Sequence, residues 1–146
     1  FPDLKLTLLE SIKKKTYFLE NMLETLNLQS TSIVNDRAEN LSHDINFREK
    51  FDFVTVRAVG KLSVISELCL PFCKIGGVVI ALKHPNIQDE IDNASYAIQT
   101  LGGELGNIKD IKLTDNNITS LIEIIKKNQT HNKYPRKAGT PKKYPL

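Results

Sequence analysis

Val78-Val79-Ile80-Ala81-Leu82 is an uninterrupted apolar run, with Gly76-Gly77 before it and Lys83 after it. A strand with one wet face alternates apolar and polar residues. A continuous run of this length therefore predicts a strand covered on both faces, as in a sheet flanked by helices. The remainder of the chain fits that α/β expectation. Leu6-Thr7-Leu8-Leu9 reads as a short buried strand ending at Glu10, and Ser11 as the cap of a helix with an apolar stripe at Phe18, Leu19, Met22, Leu23 and Leu26. Thr31 to Val34 reads as a weaker strand, followed by Asp36-Arg37-Ala38-Glu39 and a polar stretch over 40–50 that reads as loop with some helix. Phe51 to Val56 is the next predicted strand, ending at Arg57, and Leu62 to Cys73 has helical character. Lys74-Ile75-Gly76-Gly77 reads as a turn. Ile87, Ile91, Ala94, Ile98 and Leu101 keep helical spacing until Gly102-Gly103 stops them. Gly106 to Leu113 and Thr119 to Lys126 read as two final strands, joined by a polar link over Thr114 to Ile118 that suits a hairpin. Strand alternating with helix, then two neighbouring strands, predicts a mostly parallel sheet with an antiparallel strand at its end.

A chain of 146 residues holds one such core. It has no apolar run near the roughly 20 residues of a membrane span, and Phe1-Pro2-Asp3 leads into the first strand pattern without a secretory signal. Cys69 and Cys73 form no C-x-x-C pair, and His43, His84 and His131 are scattered. No metal site is expected, and buried thiols in a reducing, cytoplasmic compartment are. The one compositional boundary falls near Asn128, dividing a body over 1–127 from a basic tail over 128–146. After Glu123 there is no acid, yet Lys126, Lys127, Lys133, Arg136, Lys137, Lys142 and Lys143 follow. The net charge of +3 is thus concentrated at one end, and the rest holds more acids than bases. That asymmetry suits contact with a polyanion, or else a solvated tail.

Ligands of open parallel sheets gather at the carboxyl ends of strands. Glu10, the pair Ala38-Glu39, and Arg57 fall at successive predicted strand ends. An acid there can accept both hydroxyls of a ribose, and a backbone amide beside a carboxylate can meet an adenine edge. The alternatives are a helix N-terminal charge for Glu10 and a salt bridge for Arg57. No G-x-G-x-x-G and no P-loop occurs, and no residue stands out as a catalytic nucleophile, acid or base.

Read together, 1–20, DRAE (36–39), 51–83, LGGEL (101–105) and KYPRKAGTPKKYPL (133–146) resemble the RsmG (GidB) family of 16S ribosomal RNA guanine-N7 methyltransferases. The V-x-R-A-V strand end and the closing Y-P-R-K-x-G-x-P signature are the most specific pieces. The resemblance implies a class I S-adenosylmethionine-dependent methyltransferase sheet of Rossmann type. It also implies that the family's first strand, with its G-x-G-x-G-F-P loop, has no counterpart here; Phe1-Pro2 matches the end of the helix that follows that loop. That strand would lie between residues 6–9 and 51–56, so two sheet edges are expected to be open. By the same resemblance Glu10 corresponds to the acid at the cofactor ribose, Ala38 and Glu39 to the pair at its adenine, and Arg57 to a cofactor-site arginine. Lys133, Tyr134, Arg136, Lys137, Lys142 and Lys143 correspond to an RNA-contacting tail, read here as extended around Gly139 because each proline disfavours helix before it. The implied partner is 16S ribosomal RNA in the small ribosomal subunit. A non-catalytic RNA- or ribosome-binding module is the main alternative, and a truncated nicotinamide-dependent oxidoreductase a weaker one.

Overall fold

A computed structural model describes residues 4–114 and 117–146. Phe1-Pro2 and the Asp115-Asn116 centre of the expected hairpin link lie outside the described residues. In chain order the elements are β1 (Leu6–Leu9), α1 (Lys13–Thr25), β2 (Thr31–Val34), α2 (Ala38–Leu41), β3 (Phe51–Arg57), α3 (Leu62–Cys69), β4 (Cys73–Lys83), α4 (Gln88–Thr100), β5 (Gly103–Thr114), β6 (Asn117–Lys126) and α5 (Thr140–Lys143).

The apolar run lies in β4, an interior strand of a four-stranded sheet ordered β3-β4-β6-β5. β3 and β4 are parallel, and β6 runs against both β4 and β5. The antiparallel strand is therefore inserted inside the sheet and does not end it. The side chains explain the order: β6 buries Ile122 and Ile124 completely, whereas β5 leaves Leu105 and Ile108 exposed. The more apolar strand takes the place that helices cover. α3 and α4 supply that cover, with Leu62, Ile65, Ile98 and Leu101 packed over Val79, Ala81, Ile122 and Ile124 in one core cluster.

β1 and β2 form a separate parallel pair, with Leu6 opposite Thr31 and Leu9 opposite Val34. Among the described residues β1 pairs only with β2 and β3 only with β4, so each has an open edge. This is the break the resemblance predicts between residues 6–9 and 51–56.

The α1 stripe is helical as expected, but only partly covered: Leu19 and Leu23 are half-buried, Phe18 is 62% and Leu26 56% exposed, and Thr16 is the helix's buried residue. Helical spacing shows which face is apolar, not whether a second layer covers it. Lys74 to Gly77 belongs to β4 and is not a turn, although the pairing register with β3 shifts there. A Cβ at Gly77 would lie 2.6 Å from the Asp52 carbonyl oxygen, so a glycine is needed for close backbone approach. The cysteines are also not within one helix: Cys69 ends α3 and Cys73 opens β4. Both are buried, and burial pushes their thiols up to about 12 and about 11. They are inert packing groups at neutral pH.

Candidate functional site

The residues that follow β1, β2 and β3 meet around one pocket of about 240 Å³, lined by Ser11, Asp36 to Glu39, Val59, Val64 and Leu68. Three strand ends far apart in sequence thus converge, as ligand sites at the carboxyl edge of α/β sheets require. The pocket is smaller than the roughly 300–1,000 Å³ of a complete small-molecule site. Its lining combines polar residues (Ser11, Asp36, Glu39) with apolar ones (Val59, Val64, Leu68).

Glu10 sits at the end of β1 between two pocket residues, Leu9 and Ser11. Its Oε1 accepts the Ile12 N–H at 2.8 Å, and Lys15 Nζ lies 4.0 Å from Oε2. Ser11 does not cap α1: the N-cap position is Ile12, which has no side-chain oxygen, and Glu10 accepts only the Ile12 N–H. Ala38 opens α2 and lines the pocket. Glu39 beside it is 8% exposed, and its Oε1 accepts the Gly139 N–H at 2.9 Å and lies 3.4 Å from Arg37 Nη2. Burial pushes the Glu39 carboxyl up, but the Gly139 N–H, its own backbone N–H and Arg37 together outweigh burial and bring it below the ordinary carboxylate value.

Arg57 ends β3, is exposed, and among the described residues nothing pairs with its guanidinium. The next residue, Ala58, has φ 58°, a left-handed conformation costly for alanine. This loop is tied from behind: Lys83 Nζ reaches the Gly60 carbonyl at 2.7 Å and Glu90 at 2.6 Å, and Glu90 also accepts the Leu62 N–H. Lys83 and Glu90 carry no signal in sequence, since their partners are set by tertiary structure alone.

The tail does not extend away from the body. Tyr134 is buried, the Tyr134-Pro135 bond is cis, and Thr140 to Lys143 form the short helix α5 and not an extended segment. Arg48 donates to the carbonyls of Thr130 and Tyr134, and the His43 ring nitrogen meets the Pro135 carbonyl at 2.9 Å. Arg136 closes on Glu67, a buried acid of α3. Lys126 is fully buried as well, held by the Leu70 carbonyl, Thr130 and Glu49; burial lowers its pKa despite Glu49. Of the tail residues singled out from sequence, Tyr134 and Arg136 are engaged by the body. Lys133, Lys137, Lys142 and Lys143 remain exposed, with Lys133 and Lys143 lying 5.1 and 5.2 Å from the Tyr134 and Tyr144 ring centres. Gly139, Pro141 and Lys142 complete the lining of the pocket. Sequence reasoning missed Glu67, His43 and Arg48; the lone acid in the apolar helix Leu62–Cys69 was the available signal.

The family model of rRNA small subunit methyltransferase G matches residues 1–119. Ribosomal RNA small subunit methyltransferase G of Lactobacillus johnsonii is 44% identical over 146 residues, covering 99% of this chain and 61% of the relative. The protein of the same name from Oceanobacillus iheyensis is 46% identical over 147 residues, covering 100% of this chain and 62% of that relative. The chain therefore spans about 61% of the length of these curated relatives. Among solved structures, the antibiotic-resistance methyltransferase Kmr superposes with a TM-score of 0.65 at 11% identity, over 88% of this chain and 78% of that one. M. jannaschii TYW2 in complex with AdoMet gives 0.61 at 15% identity over 84% of this chain and 58% of that one. At such identities these likenesses establish the fold alone.

Proposed function

Because the chain belongs to the rRNA small subunit methyltransferase G family, we propose that it forms the nucleoside-binding and RNA-facing part of an enzyme that methylates N7 of a guanine in 16S ribosomal RNA, with S-adenosylmethionine as methyl donor. The observation that carries this reading is the convergence of the β1, β2 and β3 ends on one pocket. Ala38 with its neighbours offers the adenine edge, Val59, Val64 and Leu68 offer an apolar face that excludes water, and Glu10 lies where a ribose would meet the end of β1. For Glu10 to bind two hydroxyls it would exchange its Ile12 contact for them, a swap between charge-assisted hydrogen bonds of similar kind.

The bound cofactor supplies an electrophilic methyl group. Guanine N7 has a free lone pair and no proton, so a site for this reaction needs no general base. The residues of the chain act by position: the pocket fixes the nucleoside, and Arg57, two residues before the pocket residue Val59 and without a partner among the described residues, is available to a phosphate of the RNA. Lys137, Lys142 and Lys143 add positive charge on the same tail that lines the pocket.

The test is a chimera. The matching stretch of the Lactobacillus johnsonii relative is replaced by residues 1–146, and transfer of labelled methyl to 16S ribosomal RNA is measured. Transfer at a rate comparable to the parent is expected, with the label in 7-methylguanine. A folded chimera that binds RNA and transfers nothing would favour the non-catalytic binding module.

A further inference from the structure

We infer that Glu39 acts on the pocket through the tail: it is a positioning residue that pins the turn at Gly139, so that Gly139, Pro141 and Lys142 stand as one wall of the pocket. That the pocket holds a nucleoside rests on the function proposed above; the tether itself does not.

The geometry is specific. Residues 130–136 are anchored by Arg48, Glu49, His43 and Glu67. Beyond Arg136, among the described residues, the Gly139 N–H is the one tail group that a body side chain holds by a hydrogen bond, and Glu39 holds it. Gly139 has φ 85° and is the N-cap position of α5, so the tether falls where the chain reverses into that helix. Pro141, fully buried at the start of α5, and exposed Lys142 then face the pocket beside Ala38 and Arg37. Glu39 is mostly covered, and Gly139, Pro141 and Lys142 supply the lining beside it. Glu39 lines the pocket as well, but its Oε1 is taken up by the Gly139 N–H and Arg37, so its carboxylate shapes the pocket through the tail.

The experiment compares the unaltered chain with Glu39→Ala and Glu39→Gln. Trypsin cleavage after Lys137 and Lys142 is timed by mass spectrometry, with the unfolding midpoint of each protein measured alongside to remove any global effect. Loss of a charge-assisted hydrogen bond should open the tail about tenfold more often in Glu39→Ala. Glu39→Gln, whose amide oxygen still accepts the Gly139 N–H, should cleave close to the unaltered rate. Cleavage of Glu39→Ala at the unaltered rate overturns the inference.

A second arm titrates S-adenosylhomocysteine by NMR into the chimera and a chimera lacking 138–146, each with and without Glu39→Ala. If Glu39 works through the tail, the substitution weakens binding in the intact chimera and has no further effect in the truncated one. An equal loss in both backgrounds makes Glu39 a direct ligand contact and refutes the inference. No binding to any of the four counts against the cofactor reading, while the cleavage rates still decide the tether.

Discussion

Arg136 donates its Nε to Glu67 Oε1 at 2.9 Å and its Nη2 to Oε2 at 2.6 Å, while its backbone N–H reaches Oε1 at 2.8 Å. The Glu67 side chain is 1% exposed, so this fork holds a carboxylate that water does not reach. Arg136→Ala would leave that charge unpaired inside α3, at a cost of about 3–5 kcal/mol in stability. Arg136→Lys should recover only part of the loss, because an ammonium cannot reproduce the planar fork. Urea unfolding midpoints measure both. A loss below about 1 kcal/mol for Arg136→Ala would show the pair to be worth no more than a surface one.

Arg57 is the opposite case. It is exposed and unpartnered among the described residues, so Arg57→Ala should change stability by no more than about 0.5 kcal/mol. In the chimera the same substitution should lower methyl transfer and reduce the slope of log RNA affinity against log salt by about 1. An unchanged slope would show that Arg57 does not meet a phosphate.

Much of this arrangement was legible before any coordinates. The run Val78 to Leu82 marks an interior strand, the spacing from Ile87 to Leu101 marks α4, Glu10 and Arg57 fall at strand ends, and Ala38-Glu39 open the short helix after β2. Periodicity is silent about cover: it marks the α1 stripe without showing that Phe18 and Leu26 stand exposed. The tail was misread for a related reason. Prolines report local backbone preference, and Pro141 in fact starts a helix, a position where its missing N–H is not needed. What holds the tail down is Glu67, His43 and Arg48, set 69 to 92 residues away from the groups they bind. No local pattern encodes those meetings.

The tether at Glu39 should titrate. Its folded carboxyl lies below the 4.5 of an unperturbed glutamate, so the tether's contribution to stability is complete above that pH. It is lost as pH falls through the lower folded value, because only the ionised form is favoured by Gly139 and Arg37. The Gly139 amide proton in NMR should therefore shift with a midpoint below 4.5, and Glu39→Gln should abolish that step. A midpoint above the ordinary value would mean that burial wins at this site over its hydrogen bonds.

The apolar surface left open by the fold makes the last prediction. Phe53 on β3 is 63% exposed and its strand has, among the described residues, an unpaired edge, while Phe18 and Leu26 expose the α1 stripe. An open strand edge beside exposed apolar side chains is a template for association with other chains. The chain over residues 1–146 should associate with itself as its concentration rises, seen as a rising weight-average sedimentation coefficient. Phe53→Lys sets a charge on the open strand and should suppress that association, with little loss of stability because the ring is not in the core. Phe18→Ser should act in the same direction through the helix face. Two other results would count against this account. If Phe53→Lys unfolds the chain, the ring contributes to packing despite its exposure; if the unaltered chain stays monomeric at millimolar concentration, the open edge is protected by charge on β3 itself, Asp52, which pairs with Lys74 of the neighbouring β4.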